Sequence, residues 1–400
     1  MLSRRTLVLW TLLLASTLGV MAGATVAPVL AVIQNDLGVS GTAAGFIITT
    51  HGLTIAVTSP LVGRLVDRRG VRVPLTAGLV LYGLGGGSGL LVTSYPALIA
   101  SRFVLGLGAA VVFTATTVAL LSLYEAAKRD RVMGWRTTAT TVGGLVWPLL
   151  AGALGDISWH ASFAVYLVGV PLGVAVLLAM PKDVTAVGAE RSGGGALRLM
   201  RAHPVLLGLC GLVLATGVMM YVPAVFLPKR LEQIGITSTF LVAVYAVTLG
   251  AVVASLIGLL YGRLRSRLSV AAVTRLAAGC WMLAFVIYAR VDQPVLLLLA
   301  PALAGAGNAL AMPALTVLFA DAVAPEQRGR ATSLQGTSMF AGQFVSPLIA
   351  GPLIAATDYS IGFLAAGGVA LVMLIVLLTT KVTAHRPPTA VSTESATAAR

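Results

Sequence analysis

The chain carries twelve apolar stretches of about 20 or more residues, separated by short polar breaks, and each is long enough to cross a hydrocarbon core of ~30 Å as a helix. Only 10% of the residues are charged, whereas a soluble domain needs roughly a quarter to cover its surface. The pattern therefore predicts an all-α membrane protein. The predicted helices span residues 7–33, 42–62, 74–93, 97–122, 133–155, 160–180, 204–227, 239–261, 271–290, 294–320, 330–356 and 360–380.

Basic residues mark one side of the predicted membrane. Most of the 27 Lys and Arg residues lie in alternate breaks, and such residues are retained on the cytoplasmic side. We therefore expect a multi-pass protein of the bacterial cytoplasmic (inner) membrane, with both termini in the cytoplasm. Because the basic residues are spread over short loops and do not share one soluble face, they do not indicate nucleic-acid binding.

The breaks also divide the chain into parts. The segment 181–203, with its Ser-Gly-Gly-Gly run, predicts a cytoplasmic linker between six-helix bundles at residues 1–180 and 204–380. Residues 381–400 predict a disordered cytoplasmic tail. The first stretch could also be a secretory signal, but its apolar run continues to about Ile33, which is too long for a signal of that kind.

An internal repeat relates the two predicted bundles. Gly63-Arg64-Leu65 recurs 199 residues later as Gly262-Arg263-Leu264. Matches at this one spacing fall at equivalent points of both bundles without a gap. They indicate a parallel duplication of six helices, with a substrate site between the halves. The other matched pairs are Gly106 and Gly305, Gly108 and Gly307, Arg129 and Arg328, Arg131 and Arg330, Pro148 and Pro347, and Gly152 and Gly351.

Two segments resemble a known family. GRLVDRRGVR, after the second stretch, resembles the signature between helices 2 and 3 of the major facilitator superfamily, and SRFVLGLGAA resembles that family's helix-4 pattern. The resemblance implies twelve helices in two pseudo-symmetric halves. It also implies close helix packing at Gly63, and a latch in which Asp67 pairs with arginines and the N-terminus of helix 11 to close the cytoplasmic side. The latch residues are Gly63, Asp67, Arg68, Arg69, Gly70 and Arg72.

Helices 4 and 5 carry further features. GGLVWPLLAG in helix 5 keeps Pro148 and Gly152 of a glycine-rich element that in the family's exporters restrains helix 5 against helix 8, but Trp147 and Ala151 replace glycines. Arg102 is the one charged residue well inside a predicted helix. An unpaired guanidinium in lipid costs at least ~2.5 kcal/mol. We therefore expect Arg102 to face water or an acceptor in the cavity, or else to reach the nearby outer surface.

The function follows from the resemblance and from what the sequence lacks. There is no phosphate-binding loop, metal-ligand cluster or catalytic constellation, so we expect neither an enzyme nor a cofactor. PVLAVIQNDLGVS and the run at 331–349 look most like bacterial drug/proton antiporters, which implies proton-coupled efflux of small organic molecules, here by a monomer. An importer or uniporter stays open, because the helix-5 motif is reduced and no carboxylate lies at mid-membrane depth. A non-transporting, transporter-like sensor also stays open.

The family's fold implies a central cavity. His51 is the one mid-depth group that ordinarily titrates near pH ~6.5, so it is the candidate proton or substrate site. A mostly apolar lining with one cation and no anion favours neutral amphiphiles or organic anions as substrates. Each polar candidate could instead form a hydrogen bond between helices. The cavity candidates are Thr25, His51, Arg102, Thr114, Trp147, Tyr221, Asn308, Gln335 and Gln343.

Overall fold

The computed structural model describes residues 4–124, 126–181, 184, 196–324 and 327–379, and every regular element in these ranges is helical. Eleven helices are long and apolar enough to cross a membrane, and a bent pair at the start of the chain makes a twelfth span. The spans, α1 to α12, confirm the predicted all-α fold of two six-helix halves.

The spans have the following bounds: α1 Arg4–Ala24, continued by the 3-10 helix Ala27–Val29 and by Leu30–Leu37; α2 Gly41–Arg69; α3 Arg72–Gly87; α4 Tyr95–Leu123; α5 Ala126–Gly155; α6 Gly169–Ala179, preceded by the 3-10 helix Ala161–Val168; α7 Val205–Gln233; α8 Thr239–Ala243, continued by the π-helix Val244–Thr248 and by Leu249–Arg267; α9 Val270–Arg290; α10 Leu299–Asp321, preceded by Pro294–Leu297; α11 Arg328–Ala356; and α12 Tyr359–Thr379.

Several helices extend beyond the apolar stretches that predict them. The sequence predicts an end of α2 near residue 62, but α2 continues to Arg69, so GRLVDRR is helical. Likewise α7 continues from residue 227 to Gln233. Hydropathy detects the part of a helix that crosses lipid, whereas backbone hydrogen bonding continues past the last apolar side chain. α1 departs in another way, because it bends by 50° between Thr6–Gly19 and Met21–Leu37.

The described part of the predicted linker includes the short helix Ala196–Ala202. Residue 184 also belongs to it, and the backbone N–H of Val71 donates a hydrogen bond to the carbonyl of Val184 at 2.9 Å. This contact attaches the start of the linker to the N-terminal half. The remaining linker residues 182–183 and 185–195, and the predicted tail at 381–400, lie outside the described residues.

Glycines at repeat-related positions make equivalent contacts in the two halves. A Cβ atom at Gly108 would lie 2.4 Å from the backbone nitrogen of Tyr82, and one at Gly307 would lie 2.6 Å from Nε1 of Trp281. Tyr82 and Trp281 are themselves 199 residues apart. Small residues permit such close approach of helices in membrane proteins. The sequence repeat is therefore also a repeat of helix packing.

The two ends of the bundle differ in charge. One end, which we call the basic face, is formed by the described residues at 70–71, 124, 180–181, 184, 196–204, 268–269, 322–324 and 327 and by the helix ends beside them. The other, the opposite face, is formed by the breaks at 38–40, 91–94, 156–160, 234–238, 291–293 and 357–358. The basic face carries most of the Lys and Arg residues of the breaks.

The halves contact each other near the opposite face, chiefly through α2 with α11 and α5 with α8. A Cβ atom at Gly45 would lie 2.1 Å from Cβ of Pro347, and the rings of Phe46 and Phe344 stack with centroids 5.5 Å apart. These contacts close the bundle at the opposite face.

Toward the basic face each of the same four helices carries a glycine with free space beside it. One glycine on each of them faces open space, since a Cβ atom there would meet no heavy atom of the described residues within 4 Å. These glycines are Gly63 on α2, Gly134 on α5, Gly262 on α8 and Gly336 on α11. These four positions leave room beside the backbone at this end of the bundle.

Candidate functional site

Polar side chains from both halves lie close together next to the contacts that close the opposite face. His51 on α2 is buried, and its Nδ1 has no hydrogen-bond partner among the described residues. Gly23 on α1 leaves room beside it: a Cβ atom there would lie 2.7 Å from Cε1 of His51 and 3.0 Å from the hydroxyl of Tyr221 on α7. An imidazole of one half and a phenol of the other thus flank the same point of α1.

Gln343 on α11 adds an amide to this group. Its side chain is buried, and its Oε1 has no partner among the described residues. That oxygen lies 3.6 Å from the Cβ position of Gly52, which follows His51 in the chain. A buried acceptor that lacks a partner costs ~1–3 kcal/mol, so a ligand or water that bonds it is favoured. We call Gly23, His51, Tyr221 and Gln343 the central polar site.

The chemistry available at the central polar site is hydrogen bonding and protonation. Its imidazole, phenol and amide can donate and accept hydrogen bonds, and the imidazole is also able to take up a proton. The described residues hold no group of three metal-ligating side chains. The arrangement suits recognition of the polar groups of an organic molecule.

Arg102 lies inside the N-terminal half. Its side chain is fully buried, and Nε donates to the hydroxyl of Ser101 at 3.2 Å while Nη2 donates to the carbonyl of Gly86 at 3.2 Å. The guanidinium carbon lies 4.9 Å from the ring centroid of Phe163 and 5.3 Å from that of Tyr166. A backbone acceptor and two aromatic faces therefore surround the charge, and it does not reach the outer surface. Direct contact between Arg102 and a substrate stays a prediction.

Two other cavity candidates join neighbouring helices. Nε1 of Trp147 on α5 donates to Oγ1 of Thr17 on α1 at 3.0 Å. Nε2 of Gln335 on α11 donates to Oγ1 of Thr316 on α10 at 2.9 Å. Each is an interhelical hydrogen bond within one half, the alternative that the sequence leaves open for such residues.

The remaining candidates are spread over three helices. Thr25 is buried beside the bend of α1 and donates to the carbonyl of Met21 at 2.8 Å. Asn308 on α10 has a buried Oδ1 without a partner among the described residues. Thr114 on α4 is partly exposed. Of these three, Asn308 has the free acceptor that a ligand could use.

The motif of α5 lies against the other half. Pro148 is buried, and a Cβ atom at Gly152 would lie 2.7 Å from the carbonyl oxygen of Thr239, where α8 begins. Gly351 on α11 is 199 residues from Gly152, and a Cβ atom there would lie 2.4 Å from Oγ1 of Thr42 on α2. Both glycines let the end of one helix approach the start of a helix in the opposite half.

Two residues of the predicted latch shape the junction of α2 and α3. Gly70 ends α2 with φ 69° and ψ −179°, a conformation that is essentially restricted to glycine. Nε of Arg72 donates to the carbonyl of Leu177 on α6 at 3.0 Å. In the C-terminal half, Nε of Arg275 donates to the carbonyl of Leu377 on α12 at 2.8 Å. Both arginines tie the start of a helix to the last turn of another.

The other latch residues lie at the basic face. Asp67, Arg68 and Arg69 are exposed, and Asp67 belongs to neither ion pair that the described residues form. Gly63 faces open space. The latch is expected in a state closed at the basic face, whereas the contacts described here close the opposite face. It therefore stays a prediction.

The opposite face is held by polar contacts between the halves. Nζ of Lys229 on α7 donates to Oδ1 of Asn35 on α1 at 2.6 Å and pairs with Oε2 of Glu232 at 2.9 Å. Asp156, directly after α5, accepts a hydrogen bond from the backbone N–H of Thr239 at 2.7 Å. Sequence reasoning places these acids at helix ends, but it cannot tell which helix of the other half each will meet.

The sequence also did not predict the hydrogen bonds of two buried tyrosines. The hydroxyl of Tyr82 donates to the carbonyl of Leu18 at 2.9 Å, and that of Tyr166 donates to the carbonyl of Ala22 at 2.8 Å. Both bonds fasten α1 next to Gly23. A tyrosine well inside an apolar stretch is the available signal, because its buried hydroxyl needs a partner.

Solved structures share this architecture. A bacterial homologue of the human lysosomal transporter Spinster, in an inward-facing and unoccupied conformation, superimposes with a TM-score of 0.79 over 94% of this chain and 96% of its own, at 16% identity. The nucleoside transporter NupG has a TM-score of 0.73 over 94% of this chain and 98% of its own, at 15% identity. At these identities the likeness shows the fold alone.

Sequence relatives cover shorter regions. Multidrug resistance protein 1 of Bacillus subtilis is 28% identical over 34% of this chain and 36% of its own. The cephamycin export protein CmcT of Amycolatopsis lactamdurans is 32% identical over 46% and 37%, and the quinolone resistance protein NorA of Staphylococcus aureus is 25% identical over 42% and 44%. The chain thus spans less than half the length of these relatives.

The family is fixed by a match over nearly the whole chain. The sequence model of the Major Facilitator Superfamily matches residues 12–291 and also residues 239–399, which overlap the first range. Twelve spans, the 199-residue repeat and the contacts of α2 with α11 and α5 with α8 agree with that match. The chain belongs to the Major Facilitator Superfamily.

Proposed function

We propose that this protein is a secondary active transporter that exports small organic molecules by alternating access, driven by protons. The central polar site carries the proposal, because it places unpartnered acceptors of α2 and α11, from opposite halves, where the contact between the halves ends. A ligand bound there touches both halves. Closing one face and opening the other then moves the ligand from one side of the membrane to the other.

The proposal places the basic face in the cytoplasm, because Lys- and Arg-rich breaks are retained there. Both termini are then cytoplasmic, in the inner membrane of a bacterium. The opposite face, where the halves are in contact, would then be the outer side of the membrane, and the described arrangement would be closed to the outside. One copy supplies both halves of the site, so the proposed unit of transport is a monomer.

The proposed substrates are amphiphilic organic molecules. Three relatives are named for multidrug resistance, cephamycin export and quinolone resistance, which supports export of compounds of this size. The hydrogen-bonding groups of the central polar site suit their amide, carbonyl and carboxylate oxygens. Arg102 is enclosed within one half. The groups of the central polar site, and not the charge of Arg102, would therefore select between neutral and anionic substrates.

His51 is the proposed proton site. It is buried within α2 and has a free Nδ1, and the thirteen Asp and Glu residues of the chain fall at loops, helix ends or the tail. Protonation turns the imidazole from a possible acceptor into a charged donor, and the proposal is that a substrate at Tyr221 and Gln343 and a proton on His51 exclude each other. Competition of this kind couples outward movement of substrate to inward movement of protons.

Inside-out membrane vesicles test the proposed function. With an acid-inside gradient, vesicles that contain the protein should accumulate a quinolone or a cephamycin above its equilibrium level, and a protonophore should abolish the accumulation. Vesicles without the protein are the control. Equilibration that ignores the gradient would instead identify a uniporter, and the absence of any protein-dependent movement of either compound would contradict transport.

The proton site has its own test. His51→Gln keeps hydrogen bonding but cannot titrate, so it should leave substrate binding within a few fold and remove the response of accumulation to the pH gradient. His203→Gln, at the basic face, is the matched control and should behave as the unaltered protein. Unchanged gradient dependence in His51→Gln would rule out His51 as the proton site.

A further inference from the structure

The carboxylate of Asp156 crosses from one half of the protein to the other. Oδ1 accepts a hydrogen bond from the backbone N–H of Thr239 at 2.7 Å and lies 3.0 Å from the hydroxyl of the same residue. Oδ2 accepts from the hydroxyl of Ser238 at 3.1 Å. Asp156 follows α5 of the N-terminal half, whereas Ser238 and Thr239 begin α8 of the C-terminal half. The carboxylate therefore caps a helix that belongs to the other half.

The physical basis of this contact is the start of a helix. The first backbone N–H groups of a helix have no partner within it and carry partial positive charge. Ser238 occupies the cap position and accepts from the N–H of Leu241 at 3.4 Å. It leaves the N–H of Thr239 for Asp156, which forms no ion pair among the described residues. A charged acceptor makes that hydrogen bond stronger than a neutral one would.

Asp156 moves with the N-terminal half because both ends of its segment are fastened there. Its backbone N–H donates to the carbonyl of Gly152 at 3.1 Å. In the loop that follows, Nε1 of Trp159 donates to Oδ2 of Asp36 on α1 at 2.9 Å. Movement of the halves apart at this face must therefore separate the carboxylate from Thr239.

The contact is accessible to water. A cavity of about 520 Å³ opens at the opposite face and is lined by Asp36, Asp156 and Trp159 of the N-terminal half and by Thr237 and Thr239 of the C-terminal half. Water in this cavity can solvate the carboxylate and the N–H once they part. The contact can therefore break and form during a transport cycle without leaving a polar group in lipid.

We propose that Asp156 is a gate residue, which holds the opposite face closed by capping α8 and releases it when the protein turns outward. This inference deepens the proposed function and depends on its alternating access. It gives the protein two latches of the same chemistry, each a carboxylate at the start of a helix in the other half. Asp156 with α8 acts in the state described here, and Asp67 with α11 is expected to act in the other.

Distances between spin labels across the opposite face test the gate. The labels replace Leu91 and Val295, which are 87% and 67% exposed. Leu91 follows α3 in the N-terminal half, and Val295 lies in the short helix Pro294–Leu297 before α10 in the C-terminal half. Cys210 and Cys280 are first replaced by alanine. Pulsed electron double resonance on the full chain in lipid nanodiscs then reports the populations with this face closed and open. No substrate is needed.

Asp156→Ala should raise the ratio of open to closed molecules about tenfold, or about 1.4 kcal/mol. Asp156→Asn keeps an oxygen that accepts from Thr239, so its shift should be smaller. The matched control is Asp292→Asn, which removes a carboxylate at the same face from its pair with Arg230 inside one half and should leave the ratio unchanged.

An Asp156→Ala protein with the distance distribution of the unaltered protein would overturn the gate, and so would an equal shift in Asp292→Asn. These readings are separate from transport. If Asp156→Ala shifts the ratio but vesicles show no gradient-driven accumulation, the gate stands and the proposed proton coupling fails. If accumulation is seen and the ratio does not shift, the proposed function stands and the gate fails.

Discussion

Arg102 shows how a charge can be kept within a membrane without an acidic partner. The guanidinium donates to Ser101 and Gly86 and packs against Phe163 and Tyr166. Removing the whole side chain leaves a cavity and frees the carbonyl of Gly86 from this bond. We therefore predict that Arg102→Ala lowers the free energy of unfolding by about 3 kcal/mol, measured by thermal unfolding in detergent.

The matched variant for this prediction is Arg102→Met, which fills much of the volume without a charge. Replacing a buried ion by an apolar group of similar size costs little, so its loss should be below about 1 kcal/mol. If Arg102 faced a water-filled cavity, Arg102→Ala would unfold near the temperature of the unaltered protein. That result would contradict the structural role and restore the sequence-based expectation of a cavity residue.

Gly23 controls the space at the central polar site. A methyl group there would lie 2.7 Å from Cε1 of His51 and 3.0 Å from the hydroxyl of Tyr221, so one of these side chains must shift. Overpacking of this kind costs about 1–3 kcal/mol. We predict that Gly23→Ala lowers the initial rate of substrate accumulation in vesicles at least about fivefold, because the groups proposed to bind substrate are displaced.

Gly19 is the control for Gly23. It lies one turn earlier on α1, and a Cβ atom there would make an ordinary contact of 3.6 Å with Phe113. Gly19→Ala should therefore transport at the rate of the unaltered protein. Equal rates for Gly19→Ala and Gly23→Ala would show that the central polar site does not limit transport.

At the scale of elements, the sequence identifies nearly every helix but not how the helices are joined. An apolar stretch of about 20 residues predicts a span, and all twelve are present. The stretches do not reveal the 50° bend of α1, because the residues at the bend are as apolar as their neighbours. They also place GRLVDRR in a break, whereas its backbone is helical up to Arg69.

The junction of α2 and α3 depends on the second glycine of that motif. Gly70 has φ 69° and ψ −179°, which a residue with a side chain reaches at a cost of about 1–3 kcal/mol. We predict that Gly70→Ala lowers the free energy of unfolding by that amount, measured by thermal unfolding. It should also weaken the tie between α3 and α6, since Arg72 follows directly.

Gly63 of the same motif gives the contrasting result. It lies inside α2 and faces open space in this state, so Gly63→Ala should keep or slightly raise stability, by up to ~1 kcal/mol from helix propensity. If close packing at Gly63 belongs to the state closed at the basic face, the variant should instead slow transport. If Gly63→Ala lost as much stability as Gly70→Ala, the conclusion that Gly63 has free space beside it in this state would be contradicted.

At the scale of the whole molecule, the sequence reveals the repeat because many of the residues matched at the 199-residue spacing are glycines and prolines. These residues decide where helices touch, so Gly108 and Gly307 keep both their spacing and their packing. The sequence predicts only some residues of the central polar site. His51, Tyr221 and Gln343 were among nine candidates, and Gly23 was not, because a glycine gives no chemical signal of the space it provides.

The closed opposite face leads to the last prediction, on movement of the halves. Asn35 on α1 and Glu232 on α7 lie in different halves, with Nδ2 and Oε1 3.3 Å apart. In a chain without its own cysteines, Asn35→Cys with Glu232→Cys, joined by a short bis-methanethiosulfonate reagent, holds this face closed. Alternating access requires the face to open, so cross-linking should stop transport and a reductant should restore it.

The control for cross-linking is a pair within one half at the same face. Arg230→Cys with Asp292→Cys replaces an ion pair between α7 and the break after α9, and joining these positions leaves the halves free to separate. This variant should transport equally before and after cross-linking. If the joined Asn35→Cys, Glu232→Cys protein transports at its uncross-linked rate, movement of the halves at this face is not part of the cycle. Substrate would then cross the membrane without separation of the halves at this face, which contradicts alternating access.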